Sequence, residues 1–268
     1  MPWFPVIISH SPVWSHYARR YVGAGVAVVE EGNDLSSSMT AKNMIKRLTS
    51  RVLHFNKAPW KRLRALIAGG RTWRVSGRRN TVCIEGQTQN VSYDIDGNDN
   101  RVLVQANALL SNVTVFIRGN NNTLLVSRGV RYLGGSFRFE GNNCTIEIGE
   151  NTTVVSASLQ AIESNRQISI GKQCMLGMEV SAWTSDFHTI IDRDTKQRIN
   201  SAQDIILDDH VWVGAYVLIL KGVHVGRGSV IGARSVVTKD VPPHVVAAGS
   251  PARVVREGVD WNPGKDAS

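Results

Sequence analysis

The sequence has few cysteines, no long apolar segment and fewer acidic than basic side chains. Its three cysteines, Cys83, Cys144 and Cys174, are widely separated and lack metal-ligand spacing, so we expect neither a disulfide framework nor a zinc site. No apolar stretch approaches the roughly 20 residues of a membrane-spanning helix. The segment Met1 to His10 has no cationic region before its short apolar run. We therefore expect a globular protein of the reducing cytoplasm, without a membrane span or a metal.

The chain carries 31 Lys and Arg against 22 Asp and Glu, a formal net charge of +9. Such an excess would suit nucleic acid, an anionic membrane surface or an acidic polymer. The basic side chains are concentrated between Lys42 and Arg79, whereas the later chain is closer to balanced. This placement favours a solvated helical face over nucleic-acid binding, and it leaves open the attraction of an acidic substrate.

Residues 1–70 differ from the rest of the chain and predict a small, partly helical flank. Ser36–Ser38 offers a helix N-cap, and apolar residues recur at helical spacing from Met44 up to His54. A second short helix is expected to begin near Pro59 and to end before Gly69.

From Gly77 onward the chain repeats itself. Gly-Asn turns start at 97, 119 and 141, with a degenerate copy at 163, so the starts differ by 22 each time (119−97, 141−119, 163−141). An earlier copy starts at Gly77, 20 residues before the one at 97. The fifth and seventh positions after each of the five starts are apolar: Val82 and Ile84, Val102 and Val104, Leu124 and Val126, Ile146 and Ile148, Ile168 and Ile170. This alternation predicts a short strand with one buried face, and its recurrence predicts stacked turns with asparagine side chains bonded along the stack. The repeat therefore indicates a solenoid.

Towards the C-terminus the period of the apolar residues sharpens to six. The positions are Leu207, Val213, Ile219, Val225, Ile231 and Val237. Neither an amphipathic helix nor an ordinary strand has this period. A repeat of six with one inward aliphatic residue predicts a triangular prism, in which each hexapeptide makes one flat face and a turn.

This hexapeptide run is followed by Ile231–Pro243, read as IGARSVVTKDVPP, and by the segment AGSPAR at Ala248–Arg253. Together they resemble the left-handed parallel β-helix acyltransferases, in particular the sugar and polysaccharide O-acetyltransferase branch, over about residues 168–257. The resemblance implies an all-β solenoid, a left-handed β-helix of about nine coils over 71–257, after the flank 1–70 and before a tail, 258–268. It also implies a homotrimer with active sites between subunits.

The segment from Trp183 to Ile205 interrupts the six-residue rhythm and predicts a protruding loop, where sites are built on rigid scaffolds. An alcohol needs a base to take its proton as it attacks a thioester, and histidine has a suitable pKa. In the resembled family such a loop carries the catalytic histidine, which here is His188; the alternative is a surface histidine without function. Asp186 or Asp192 would orient its ring, with Asp186 favoured by its two-residue separation.

The resemblance also assigns the binding residues. Trp212 lies 24 residues after His188 and should point outward, where an indole stacks on a sugar or on the pantetheine arm of coenzyme A, with Trp183 as a second acceptor-binding residue. Small residues would give the pantetheine chain close access to the backbone, and Lys239 and Arg253 would meet the phosphates. The small residues are Gly214, Ala215, Gly232 and Ala233. The trimeric γ-type carbonic anhydrases share the fold, but the histidines here lack the closely spaced pair of that zinc site.

The sequence therefore predicts an acetyl-CoA-dependent O-acetyltransferase acting on a hydroxyl of a sugar or of a capsule, O-antigen or exopolysaccharide chain. His188 would deprotonate the acceptor, which attacks the thioester directly, and no cysteine nucleophile is invoked. Two alternatives stay open: an acetyltransferase for an amino sugar or serine, and a non-catalytic β-solenoid binding protein.

Overall fold

A computed structural model describes residues 26–29, 51–56, 65–67 and 71–264. They form an all-β solenoid of triangular section, and the coil is left-handed. Face one is a sheet that takes one parallel strand from each coil. Its parallel strands are β5 (Asn80–Ile84), β7 (Arg101–Val104), β9 (Thr123–Val126), β12 (Thr145–Ile148), β15 (Gln167–Ile170), β18 (Ile205–Leu207) and β21 (His224–Val225). Val241 continues this face through a parallel bridge to Val225, so the described residues hold eight coils, where about nine were expected.

The other two faces belong to one larger sheet. Face two contains β10 (Arg131–Tyr132), β13 (Thr153–Val154), β16 (Met175–Leu176), β19 (Trp212–Val213), β22 (Val230–Ile231) and β24 (Val245–Gly249). Face three contains β4 (Arg71–Ser76), β11 (Gly135–Glu140), β14 (Ala157–Ile162), β17 (Val180–Trp183), β20 (Leu218–Ile219) and β23 (Val236–Val237). The long strands β6 (Gln87–Asp96) and β8 (Leu109–Arg118) run over both faces, because their first residues pair with face two and their last with face three.

The predicted inward residues form the core. Every residue of the six-residue series, from Leu207 to Val237, is at most 2% exposed. The strands of the Gly-Asn repeat pair in the register that the 22-residue spacing requires, for example Ile146 with Leu124 and with Ile168. Two aliphatic side chains per strand in the Gly-Asn repeat, and one per strand in the six-residue series, therefore point into a continuous core, as the two periods predict.

The Gly-Asn turns stack at the corner between face three and face one, which we call the loop corner. Asn98 Nδ2 donates to Asn120 Oδ1 (3.0 Å), and Asn120 Nδ2 donates to Asn142 Oδ1 (3.1 Å). A second, buried column runs through Asn80, Asn100 and Asn122. The predicted asparagine ladder is thus confirmed.

Both predicted helices are wrong where they meet described residues. Arg51–Asn56 is strand β2, which pairs antiparallel with β5 and with β1 (Val26–Val29), and Ala65–Ile67 is strand β3, which pairs antiparallel with β4. Pairing with the open end of a sheet outweighs a local helical pattern. The remaining parts of these helices and most of the basic segment lie outside the described residues. At the other end, β25 (Ala252–Glu257) folds back antiparallel on β24.

Candidate active site

The predicted loop leaves the solenoid at the loop corner, where three of the preceding coils have a Gly-Asn turn. It follows β17 and returns to face one at β18, and we call residues 184–204 the insertion. Its two arms form a short hairpin, in which Ile199 N donates to Ile190 O (2.9 Å) and Asp192 N donates to Gln197 O (2.8 Å). The hairpin exposes apolar side chains: Phe187, Ile190, Ile191 and Ile199 are between 45% and 64% exposed.

His188 lies at the end of a tight turn in the first arm. Its backbone N donates to the carbonyl oxygen of Asp186 (2.7 Å), and the residue between them, Phe187, has φ +64°. A three-residue turn with positive φ at its centre is rare, and a non-glycine residue in such a conformation costs about 1–3 kcal/mol. Strain of this kind persists only where surrounding contacts hold it, and it clusters at functional sites.

Asn200, in the returning arm, holds the backbone of His188 from the other side. Its Nδ2 donates to His188 O (2.8 Å) and to Asp186 Oδ2 (2.9 Å), while its Oδ1 accepts from Ile190 N (2.7 Å). Asn200 is 7% exposed, so its side chain is largely shielded from water. The peptide groups of His188 are therefore fixed, whereas its imidazole is exposed and has no hydrogen-bond or ion-pair partner among the described residues.

Charged pairs anchor both arms to the solenoid. Lys221 Nζ binds Asp186 Oδ2 and donates to Asn200 O (2.9 Å). Arg198 makes a forked contact with Glu163 (2.8 and 2.5 Å), whose carboxylate also accepts from Ser185 Oγ (2.7 Å). Lys221 holds the pKa of Asp186 below its usual value, and Arg198 does the same for Glu163. Both carboxylates are therefore charged at neutral pH.

Neither candidate for orienting the imidazole contacts it in this structure. The Asp186 carboxylate is engaged by Lys221 and Asn200. Asp192 Oδ1 accepts from the backbone of Asp194 (3.0 Å) and Thr195 (2.7 Å), so it caps the tip of the hairpin. Those backbone bonds lower the pKa of Asp192.

The predicted cofactor residues gather at another corner, between face two and face three, which we call the small-residue corner. A Cβ on Gly214 would lie 2.6 Å from Ala233 N, and one on Gly232 would lie 2.9 Å from Ala248 Cβ. Gly214 and Ala215 therefore stack directly on the next coil's Gly232 and Ala233. Arg253 reaches the same stack, since it pairs with Ala248 across β24 and β25.

The two tryptophans and Lys239 lie at different places on the prism. Trp212 is 39% exposed on face two, beside the small-residue corner. Trp183 ends β17 at the base of the insertion, and its ring meets Phe187 edge-on at 6.1 Å. Lys239 lies at the loop corner, one coil beyond Lys221, because β20 pairs with β23. The fold thus brings five of the predicted residues together at the small-residue corner: Gly214, Ala215, Gly232, Ala233 and Arg253. The other predicted residues lie at or beside the loop corner: His188, Asp186, Trp183 and Lys239.

Two further histidines have partners within the fold. His210 stacks on Trp261 at 4.3 Å, and His224 Nε2 lies 2.8 Å from Asp208 Oδ1. Burial raises the pKa of the Cys174 thiol to about 11, so this cysteine is protonated at neutral pH. Within the described ranges, His, Cys, Asp and Glu side chains form no group of three that could hold a metal. No helix of this part of the chain is long and apolar enough to cross a membrane.

Sequence reasoning missed Glu163, Arg198, Asn200 and Lys221. One signal was available for the first of them. Glu163 occupies the turn position that is glycine at 77, 97, 119 and 141, and it keeps a positive φ of 70°. A charged residue that adopts a left-handed conformation, at a position where the preceding coils have glycine, indicates a local role for its side chain.

Comparisons with known proteins agree with this architecture. The family described as bacterial transferase hexapeptide (six repeats) matches residues 204–239. A polysialic acid O-acetyltransferase of Escherichia coli O1:K1 / APEC is 41% identical over 91 residues, which is 34% of this chain and 30% of that relative. The galactoside O-acetyltransferase of Escherichia coli K12 is 58% identical over 53 residues, which is 20% of this chain and 26% of that relative. The matched segment is thus less than a third of the length of either relative.

Two solved structures are similar over a longer range. The polySia specific acetyltransferase NeuO is 32% identical with a TM-score of 0.62, covering 70% of this chain and 91% of that one. The polysialic acid O-acetyltransferase OatWY is 30% identical with a TM-score of 0.65, covering 70% of this chain and 90% of that one. The chain therefore belongs to the hexapeptide-repeat acetyltransferase family.

Proposed function

We propose that this protein is an O-acetyltransferase that moves the acetyl group of acetyl-CoA to a hydroxyl of a sugar or of a bacterial polysaccharide. The observation that carries the proposal is the placement of His188 at the exposed end of a strained, anchored turn, on a scaffold shared with two polysialic acid O-acetyltransferases. Polysialic acid is therefore the first acceptor to test. The three free cysteines of the described residues fit a reducing cytoplasm, where acetyl-CoA is available.

In the proposed mechanism, His188 Nε2 or Nδ1 takes the proton of the acceptor hydroxyl as its oxygen attacks the thioester carbonyl. The C–O bond forms, the C–S bond breaks, and the thiolate of coenzyme A leaves and takes up a proton. A cysteine nucleophile has no part, because burial raises the pKa of the Cys83, Cys144 and Cys174 thiols and keeps them protonated at neutral pH. The small-residue corner would hold the pantetheine arm along Gly214, Ala215, Gly232 and Ala233, with Trp212 beside it. Arg253 and Lys239 would meet the phosphates.

A homotrimer with sites between subunits is part of the proposal. His188 projects from the loop corner and Gly214 lies at the small-residue corner, and face three separates the two. Ala215 and Lys221, at the two corners, are six positions apart, which is roughly 20 Å of extended chain. This distance is far beyond the length of a hydrogen bond. A neighbouring copy that docks its loop corner against the small-residue corner would close this gap and cover the exposed apolar side chains of the insertion.

The activity test incubates the purified chain with labelled acetyl-CoA and a panel of acceptors: polysialic acid, neutral oligosaccharides, galactosides, an amino sugar and serine. Removing a general base typically lowers kcat by about 10²–10⁴-fold, so His188→Ala should fall in that range with similar donor binding. Transfer by His188→Ala at the wild-type rate would end the catalytic assignment. Transfer to an amine alone would redirect the proposal to the N-acetyl branch.

The subunit arrangement has its own test by complementation. His188→Ala lacks the base, and Ala233→Trp fills the predicted pantetheine path; each should be inactive alone. If each site takes its loop from one copy and its small-residue corner from the next, random mixed trimers regain activity at about a quarter of the sites. No recovery in mixed assemblies of confirmed composition would place both groups in one chain.

A further inference from the structure

A buried side-chain amide joins the two arms of the insertion near its base, beside the backbone bond from Gln203 N to Thr184 O (2.9 Å). The first arm leaves the solenoid at Thr184 and the second returns through Asn200, whose side chain bonds to Ile190 N, His188 O and Asp186 Oδ2. The N–H of Ile190 needs an acceptor and the carbonyl of His188 needs a donor, so the orientation of the amide is fixed by its partners. No residue type with only donors or only acceptors can make both bonds.

The turn at Phe187 is not a conformation that the chain adopts without support, since a positive φ at a bulky residue is strained. One support is local: Phe187 N donates to Ser185 Oγ (3.1 Å), and Ser185 is itself bonded to Glu163 (2.7 Å). The other support is the bond from Asn200 to the carbonyl of His188. Without it, the His188 peptide keeps only its bond to Asp186 O, which belongs to the same turn.

The geometry points to Asn200 as a positioning residue that sets where the His188 imidazole stands, acting through the His188 carbonyl. Lys221 and Asp186 hold Asn200 in turn: Lys221 Nζ donates to Asn200 O (2.9 Å) and contacts the Asp186 carboxylate, which accepts from Asn200 Nδ2 (2.9 Å). Asp186 therefore serves the site through Asn200 rather than through the imidazole. The inference rests on the proposed function, because the position of the imidazole affects catalysis only if His188 is the base that deprotonates the acceptor.

The test compares Asn200→Ala, Asn200→Asp and the control Asn142→Ser. Asn142 is an exposed ladder residue, and serine already fills the equivalent position in the next coil at Ser164. A misplaced catalytic group costs about 100-fold, so Asn200→Ala should lower kcat by about that factor with both KM values changed less than about threefold. Asn200→Asp can still accept from Ile190 N but cannot donate to His188 O as a carboxylate, so it should lose about as much kcat as Asn200→Ala.

Thermal unfolding and coenzyme A binding, measured on the same samples, separate positioning from misfolding. The positioning role requires folded protein with unchanged donor affinity and lowered kcat. A wild-type kcat in Asn200→Ala, or full activity in Asn200→Asp, would overturn it. So would a fall in kcat that matched only the fraction of unfolded protein.

Hydrogen exchange gives a readout that does not depend on catalysis. The Ile190 amide is bonded to Asn200 Oδ1, so its exchange should be at least about tenfold faster in Asn200→Ala and unchanged in Asn142→Ser. Unchanged exchange at Ile190 would overturn the inference. If the wild type transfers no acetyl group to any acceptor while this exchange responds, the proposed function fails and the buried amide is still shown to hold the His188 turn.

Discussion

Asn122 offers the sharpest test of what holds the solenoid together. Its side chain is fully buried in the second asparagine column. Asn122 Oδ1 accepts from Cys144 N (2.9 Å), and its Nδ2 donates to Gly141 O (3.0 Å) and to Asn100 Oδ1 (3.0 Å). Asn100 Oδ1 also accepts from Asn122 N (3.0 Å), so it keeps a partner when the side chain is removed.

Asn122→Ala therefore leaves two groups without this partner, the buried Cys144 N and the part-buried Gly141 O. A buried group without a partner costs about 1–3 kcal/mol, and water can partly replace the bond to Gly141 O, so the total loss should be about 2–3 kcal/mol. For a chain of this size that corresponds to a fall in Tm of roughly 4–12 °C. Asn142→Ser, in the exposed column, should stay within about 0.5 kcal/mol, as surface substitutions do.

The assay is urea unfolding followed by circular dichroism, with equal slopes required before the free energies of unfolding are compared. A third variant, Asn122→Cys, copies the column's own next residue, since Cys144 Sγ donates to Glu163 O (3.0 Å). It should be less destabilised than Asn122→Ala, because the thiol can restore a bond to Gly141 O. Equal stability of Asn122→Ala and Asn142→Ser would refute the account of the buried column.

Three further predictions concern the site and its scaffold. Arg198 lowers the pKa of Glu163, so the pairing stabilises the fold above about pH 4.5 and this stability is lost on acidification. Glu163→Gln should therefore show a smaller fall in Tm at acid pH than the wild type, and an equal fall in both proteins would contradict this. Gly214→Val should cost about 2 kcal/mol or more because its Cβ meets Ala233 backbone, whereas Gly134→Ala, with a nearest contact of 3.4 Å, should be tolerated in the same unfolding assay. Trp212→Ala should lower kcat/KM about tenfold if the indole stacks on a ligand, and Trp212→Phe should lower it less. Equal kcat/KM values for Trp212→Ala and the wild type would show that Trp212 is not part of the site.

The repeat made the fold predictable because each inward residue reports on the same physical constraint. A buried aliphatic at Leu124 or Ile146 recurs once per coil, so a period read from the sequence specifies the register of neighbouring strands. The same reasoning failed at Val52 and Leu66, where apolar residues at helical spacing lie in β2 and β3. Those segments pair antiparallel at the open end of the solenoid, outside the repeat. No recurring sequence pattern indicates this pairing.

The site was predictable only in part, for a related reason. His188 could be proposed because the insertion breaks the rhythm and such a loop carries the catalytic histidine in the resembled family, whereas Gly214 and Gly232 were proposed on the resemblance. The contacts of Glu163 with Arg198 and of Asp186 with Lys221 both join residues 35 apart, and they depend on how the insertion folds back. Neither partner repeats, so no period connects them.

The end of the glycine column explains why the insertion is anchored where it is. A Cβ on Gly119 would lie 2.0 Å from Gly141 O, because the turn of the next coil stacks directly on it, and this leaves no room for a side chain. Glu163 is the first non-glycine residue in that column, and the next coil departs there into the insertion instead of stacking a turn. Its carboxylate is thereby free to reach Ser185 and Arg198. Because a loop replaces the stacked turn, there is space for the Glu163 side chain, and that side chain anchors the same loop. The break in the repeat and the anchoring of His188 therefore have one structural origin.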